Sequence, residues 1–238
     1  MAFPPTRLSV VARVRSEDAE TRQIAVATLV DAYWKPVYKY LRLKWRLSPE
    51  AAADATQDFF VTVIEKDLVA RYDPTRARFR TYLRLCLDGF AANQFKAGQR
   101  LKRGGGVQVL SIDTSTAEGE LRHLEPSVPP DVDELFYREW VRALFEQAVD
   151  ALRRQSAERG RSTMFDVFER YDLAEAPDVR PSYAAIAGEL GLTAATVTNH
   201  LAAMRRDFRA LVLDRLREVT GSDDEWQEEA RRLLGGGW

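Results

Sequence analysis

Cysteine, histidine and long apolar runs are scarce in this sequence of 238 residues. Cys86 is the only cysteine, so no disulfide can form within the chain and an oxidising compartment is not indicated. The two histidines, His123 and His200, are not clustered with acidic residues, so we expect no metal site and no cofactor. No apolar run approaches the ~18 residues of a membrane span, and the first residues do not resemble a signal peptide. We therefore expect a cytoplasmic protein without membrane contact.

Net charge is also nearly absent, at -1, and taken alone this disfavours binding to nucleic acid. The charges are nevertheless segregated along the chain. Between Arg71 and Arg103 there are nine basic residues and two acidic ones, whereas acidic residues predominate after Glu218. A basic block of this kind is typical of phosphate binding, although a solvated charged face gives the same pattern.

Helical periodicity dominates the sequence, and no segment has the alternation of a strand. Apolar residues recur at steps of three and four in Val30, Tyr33, Val37 and Leu41. Ser48-Pro49-Glu50 is a helix start signal, and a third helix is predicted from about Phe79 to Lys96. The sequence therefore predicts an all-α protein.

Composition divides the chain into two predicted helical domains joined by a flexible linker. The linker begins with three glycines, is rich in Ser, Thr and Glu, and ends with two prolines. The predicted divisions are an N-terminal extension (1–20), a first domain (21–103), the linker (104–130), a second domain (131–219) and an acidic tail helix (220–238). The sequence leaves open whether the tail packs on the second domain or shields a binding surface.

A helix-turn-helix pattern occupies residues 183–201. Ile186 and Leu190 would bury the first helix, and Gly191 would supply a left-handed turn. Thr193 would cap the second helix, which Val197 and Leu201 would bury. The outward side of the second helix would then present small, amide and basic side chains to a major groove: Thr193, Ala195, Thr196, Thr198, Asn199, His200, Arg205 and Arg206. An ordinary helical hairpin is the alternative. One such half-site binds DNA weakly, so a partner must supply further affinity.

Two parts of the chain resemble the extracytoplasmic-function sigma factors of bacterial RNA polymerase. Residues 54–60 read Asp-Ala-Thr-Gln-Asp-Phe-Phe and residues 79–83 read Phe-Arg-Thr-Tyr-Leu, which are similar to sigma region two. Residues 131–219, with the helix-turn-helix, resemble region four. The opening Phe3-Pro4-Pro5-Thr6-Arg7 is similar to a subgroup associated with serine/threonine kinases.

The resemblance implies that core RNA polymerase and promoter DNA are the partners and that the chain itself catalyses no reaction. The implied polymerase-docking residues are Asp54, Gln57, Asp58, Phe59 and Val63. The implied contacts to the minus-ten element are Asp73, Thr75, Arg76, Arg78, Arg80, Tyr82, Arg84, Asn93, Lys96, Arg100, Lys102 and Arg103. The outward residues of the helix-turn-helix would read the minus-thirty-five element.

The sequence departs from the family where acidic residues are expected before Gln57, because residues 51–53 are alanines. Phosphorylation of Thr56 would add about −1.5 to −2 charge at this place, so we predict control by a kinase there; an anti-sigma factor is the other candidate regulator. Two other functions stay open. One is a dimeric helix-turn-helix regulator that binds a palindrome without polymerase. The other is an enzyme, which would need a convergent set of titratable residues that the sequence does not display.

Overall fold

The computed structural model describes residues 10–14, 16–98, 114–122, 131–174 and 180–235. Within these residues all regular elements are helical, as predicted from the sequence. The α-helices are α1 (Val10–Arg13), α2 (Ala19–Lys44), α3 (Pro49–Glu65), α4 (Phe79–Gly98), α5 (Ser115–Arg122), α6 (Val132–Glu158), α7 (Ser162–Asp172), α8 (Tyr183–Leu190), α9 (Ala194–Val219) and α10 (Asp223–Leu234). None of the described helices is long and apolar enough to cross a bilayer.

The helices belong to two compact units. The first unit comprises Met1–Ala143 and Leu216–Leu233, and the second comprises Leu144–Arg215 and Leu234–Trp238. This division differs from the predicted boundaries, because residues 131–143 and most of the acidic tail belong to the first unit. Trp140 illustrates the reason, since its ring is buried and lies 5.4 Å from the guanidinium of Arg80.

Local capping signals set the helix starts. The Ser48 hydroxyl accepts a hydrogen bond from the Ala51 amide (3.2 Å), and Pro49 follows at a position where its missing amide hydrogen costs nothing. Asp18 caps α2 by accepting from the Thr21 amide (2.8 Å). Hydrogen bonds from the side chain and the amide of Thr21 lower the pKa of the Asp18 carboxyl. The Ser48 cap and Pro49 confirm the predicted start of α3.

The core of the first unit is aromatic. Tyr33 of α2 packs edge to face on Phe79 of α4 with ring centroids 5.8 Å apart, and Tyr72 packs on the same ring at 5.1 Å. On α3, Phe59 and Phe60 are buried. Edge-to-face pairs add about 0.5–1.5 kcal/mol each beyond the burial of their area. These contacts fix the segment between α3 and α4.

Part of the predicted linker is helical. Ala117 of α5 is fully buried, and Glu118 accepts hydrogen bonds from Arg42 (2.9 and 2.6 Å) and from the hydroxyl of Tyr38 (2.9 Å). The prediction of a flexible linker therefore does not hold for residues 115–122. The Ser, Thr and Glu composition indicated a tether, but these acids meet basic and phenolic groups of α2. Residues 104–113 and 123–130 lie outside the described residues.

A buried ion cluster joins α2, α5 and α6 within the first unit. The ammonium of Lys39, which is fully buried, binds Glu120 (2.5 Å) and Glu139. Lys35 and Arg142 also bind Glu120, at 3.3 and 3.5 Å. A buried ammonium is tolerated only with counter-charges at this range, so the cluster fixes α5 and α6 against α2.

The second unit is built around α7, α8 and α9. One core cluster contains Val167, Ile186, Ala187, Val197 and Leu201, with Leu190 and Leu192 packed against it. A second cluster contains Leu152, Phe165, Phe168 and Met204. The apolar side chains that the sequence assigned to the inside of the helix-turn-helix are therefore in its core.

Candidate nucleic-acid interface

The loop between α3 and α4 is a side-chain-stabilised turn. Asp73 accepts hydrogen bonds from the amide (3.0 Å) and the hydroxyl (2.7 Å) of Thr75, and these bonds lower the pKa of the Asp73 carboxyl. Thr75 and Arg76 are exposed, with Arg76 85% exposed at its side chain. Of the residues predicted to meet the minus-ten element, these two are the most accessible in the loop, whereas Asp73 stabilises the turn.

Arg78 and Arg80, also predicted to contact DNA, are bound to glutamates of α10. Arg78 lies 2.6 Å from Glu228 and 3.0 Å from Glu229. Arg80 forms an ion pair with Glu229, and its guanidinium lies 4.6 Å from the centre of the Tyr137 ring. Arg80 is only 8% exposed, so it cannot reach a nucleic acid in this arrangement.

Tyr82 and Arg84 are likewise engaged inside the first unit. The Tyr82 hydroxyl donates to the backbone carbonyl of Leu68 (2.7 Å), and its ring packs on Tyr72 at 5.4 Å. Arg84 binds Asp88 (2.8 Å) and Asp133 (3.0 Å). Both side chains are half-buried, so the structure gives them a packing role beside any contact to DNA.

The remaining predicted minus-ten residues lie at the end of α4 and beyond it. Asn93 is exposed and lines an open groove of about 490 Å³ together with Cys86, whose thiol pKa is raised by burial. Lys96 belongs to α4, but its side chain lies outside the described residues. Arg100, Lys102 and Arg103 lie outside them as well, so their predicted contact with phosphates stays a prediction.

The predicted polymerase-docking residues divide between the surface and the core of α3. Asp54 and Asp58 are exposed and Gln57 is half-buried. Phe59 and Val63 are buried, at 0% and 2% exposure, and they cannot contact a partner in this arrangement. Their helical spacing places them on the inward side with Phe60, which corrects their assignment to a docking surface. The accessible part is therefore Asp54, Gln57 and Asp58.

Thr56 is also buried. Its side chain is 0% exposed, and its hydroxyl donates to the carbonyl of Ala52 (2.7 Å) in the preceding turn. The structure therefore places Thr56 inside the apolar face of α3. A kinase could reach this hydroxyl only after α3 opens locally, so phosphorylation of Thr56 stays a prediction with that added requirement.

The turn of the helix-turn-helix has the predicted geometry. Gly191 ends α8 in the left-handed conformation (φ 64°, ψ 32°), and the Leu192 amide donates to the carbonyl of Ala187 (2.8 Å). The Thr193 hydroxyl then caps α9 by accepting from the Thr196 amide (3.1 Å). This hydrogen bond confirms the cap that the sequence predicts for Thr193, whose DNA contact stays a prediction.

The start of α9 presents an accessible, weakly charged face. Ala195, Thr198 and Asn199 are exposed, whereas Thr196 and His200 are half-buried. The Thr198 hydroxyl donates to the carbonyl of Ala194 (3.0 Å), which leaves its oxygen as an acceptor. Asn199 offers both an amide donor and a carbonyl acceptor, the combination that pairs with adenine in a major groove.

The adjacent arginines Arg205 and Arg206 of α9 differ in their surroundings. Arg205 binds Asp172, the last residue of α7, through two hydrogen bonds of 2.8 and 2.9 Å, and this pairing raises the pKa of Arg205. Arg206 is exposed. Arg205 therefore stabilises the packing of α7 on α9, and Arg206 is the more accessible of the two for a phosphate.

Sequence reasoning missed the glutamates that bind the basic loop. Within about one turn of α10 lie Glu225, Glu228 and Glu229. All three bind residues of the segment 72–80. The acidic composition of the tail and its 3–4 spacing were visible in the sequence. The surface that they cover was not, because about 150 residues separate the partners.

No protein-family model matches this sequence, and none of the curated proteins or solved structures compared with it is significantly similar.

Proposed function

We propose that this protein is a sigma factor of the extracytoplasmic-function type, which binds core RNA polymerase in the cytoplasm and directs it to promoters. The second unit reads the minus-thirty-five element through α9. The first unit contacts the minus-ten element through the loop before α4. The polymerase carries out the chemistry, and the chain contributes recognition.

The helix-turn-helix in the second unit is the observation that carries this proposal. Its left-handed glycine, capped second helix and apolar core support a DNA-binding role for the exposed face of Ala195, Thr198 and Asn199. An ordinary helical hairpin has no need of an amide and small side chains on an exposed face at the start of its second helix.

The loop of the first unit supports the second half of the proposal. The exposed Thr75 and Arg76 lie on a turn that Asp73 holds in place, beside the aromatic rings of Tyr72 and Tyr82. A base that leaves the stack needs hydrogen-bonding groups and apolar walls, and an exposed strand needs cations and aromatic faces.

Weak individual contacts are consistent with this function. The face of α9 has little positive charge, so a single copy neutralises few phosphates and binds duplex DNA weakly on its own. Two weak recognition elements that are carried by one polymerase bind with a high effective concentration, and neither needs to be tight.

Run-off transcription tests the proposal. Purified core polymerase is assayed on genomic promoter fragments with and without this protein, and we expect specific transcripts only with it. Asn199→Ala should reduce these transcripts about 10-fold or more, since a good bidentate contact to a base contributes about 1–3 kcal/mol. Thr163→Ala, an exposed change on α7, is the matched control and should leave them unchanged.

A dimeric regulator is the competing function. It predicts a stable dimer that binds a palindromic duplex without polymerase. If light scattering showed such a dimer, and core polymerase neither co-purified with the protein nor gained new start sites, the sigma-factor proposal would be wrong.

A further inference from the structure

The acidic helix α10 packs on the predicted minus-ten surface with one face. Glu228 and Glu229 follow Glu225 by three and four residues, so both lie beside Glu225 on the same side of the helix. Glu229 is fully buried and Glu225 is 7% exposed, which is rare for carboxylates. Burial of these two carboxylates requires polar partners on the surface that α10 covers.

The groups that bind these carboxylates are those that bind phosphate. Glu225 accepts a hydrogen bond from the amide of Phe79 (3.0 Å) at the first turn of α4, where the helix dipole favours an anion. Glu228 and Glu229 bind the guanidinium groups of Arg78 and Arg80. A helix N-terminus beside two arginines is a composite anion site, and glutamates occupy it.

The same site has aromatic walls. The Tyr72 hydroxyl donates to Glu225 (3.3 Å), and Arg80 lies over the rings of Tyr137 (4.6 Å) and Trp140 (5.4 Å). Tyr72 and Trp140 are buried, at 4% and 2% exposure, so these rings line the contact with α10 from the core side. Arginine beside aromatic rings is the combination that binds the phosphates and bases of a single strand when it is uncovered.

We infer that α10 is a built-in competitor of DNA: its three glutamates occupy the phosphate-binding groups of the first unit until the melted promoter strand displaces them. This inference depends on the proposed function, because it takes promoter DNA as the ligand. The competition is reciprocal, so DNA that displaces α10 binds more weakly than it would to the same surface without α10.

The first measurement compares full-length variants in their affinity for a short fluorescent single-stranded oligonucleotide, followed by anisotropy. Glu228→Gln/Glu229→Gln removes two charges that bind arginines. Asp223→Asn/Asp224→Asn removes two charges from the same helix at exposed positions and is the matched control.

We expect the glutamate variant to bind about tenfold more tightly than wild type, because a competing state that is populated at roughly 90% weakens apparent affinity by about tenfold. Two released arginines should also steepen the slope of log K against log salt by about 1.4. The control variant should change the affinity less than about threefold and should leave the slope unchanged within about 0.3. Equal affinities and equal slopes for the two variants would overturn the inference.

A second variant changes the contact without changing charge. Gly221 lies against Tyr72, and an added Cβ would stand 2.2 Å from a carbon of that ring, so Gly221→Ala must displace the start of α10 or the ring. We expect it to increase oligonucleotide affinity in the same direction as the glutamate variant. An unchanged affinity in a folded Gly221→Ala protein would count against displacement.

Hydrogen exchange on the wild-type protein decides the case if a variant fails to fold. Amides 223–233 should exchange faster when a saturating oligonucleotide is added, because DNA releases α10. Unchanged protection of these amides at saturation would overturn the inference.

Run-off transcription separates the two proposals. If wild type directs transcription but the oligonucleotide does not expose α10, only the inference fails; if no form directs transcription, the proposed function fails and the inference fails with it.

Discussion

Replacing Lys39 by methionine should lower the free energy of unfolding of the first unit more than replacing any exposed charged residue would. The ammonium is fully buried and its removal leaves Glu139, which is 4% exposed at its side chain, without a counter-charge. Removing one partner of a buried pair costs about 3–5 kcal/mol, because the other charge stays buried alone. For a unit of this size we expect a Tm lower by roughly 6–20 °C.

Thermal and urea unfolding followed by circular dichroism would measure this loss. Lys35→Met is the matched control, since Lys35 binds Glu120 at the rim of the cluster at 3.3 Å and is 17% exposed at its side chain. This change should cost less than about 1 kcal/mol. Lys39→Met/Glu139→Leu removes both buried charges and should recover at least half of the loss. A loss below about 1 kcal/mol for Lys39→Met alone would refute this reasoning.

The pH dependence of the same variant gives an independent check. Burial raises the pKa of Glu120, but the hydrogen bond and charge of Lys39 lower it, and the net result is below its usual 4.5. A lowered folded pKa contributes stability that is present above pH 4.5 and is lost as pH falls through the folded value. The stability difference between wild type and Lys39→Met should therefore shrink below about pH 4.

Three further predictions concern single residues. Gly191→Ala should lower the free energy of unfolding of the second unit, measured in urea, by about 1–2 kcal/mol, because Gly191 has a left-handed backbone. Gly188→Ala inside α8 is the control and should stabilise the unit slightly. Equal effects of the two changes would contradict the turn geometry. Asp172→Asn should cost less than about 1 kcal/mol, because its partner Arg205 is half exposed, and a larger loss would indicate a buried pair. Thr56→Glu should cost about 3 kcal/mol or more by burying a charge, with Thr56→Val as the control near 1 kcal/mol; a stable Thr56→Glu protein would show that the site opens readily.

Features determined by neighbouring residues were predictable from the sequence. Ser48 and Pro49 begin α3 because the serine cap and the proline ring both act within the first turn of the helix. Gly191 ends α8 because the left-handed turn requires a particular backbone conformation at that residue alone. The predicted helix from about Phe79 to Lys96 corresponds to α4 for the same reason. Each of these signals lies within a few residues of its effect.

The helix α5 shows why composition alone misled. In a flexible linker Glu118 and Glu120 would be solvated, but here both are half-buried and bind Arg42 and Lys39. The difference depends on residues about 80 positions away, and no local pattern records that distance. Lys39 lies among apolar residues of α2, and no separate sequence signal predicts its burial.

Helix faces were predictable only approximately. The resemblance implies that Phe59 and Val63 dock on polymerase, but the structure places both in the core. A shift of one residue on a helix rotates the side chain by about 100°, so an assignment near the edge of a helix face is easily wrong.

The second segment of the first unit, Leu216–Leu233, is synthesised after the whole stretch 144–215. At ~5–20 residues per second, a ribosome takes roughly 5–20 s to pass from residue 143 to residue 233. Throughout that interval the nascent chain has Arg78 and Arg80 without the glutamates that bind them in the finished protein. Newly made chains thus pass through a brief stage with a more basic surface than mature ones, and polyanions of the translating ribosome are the nearest molecules that could bind it.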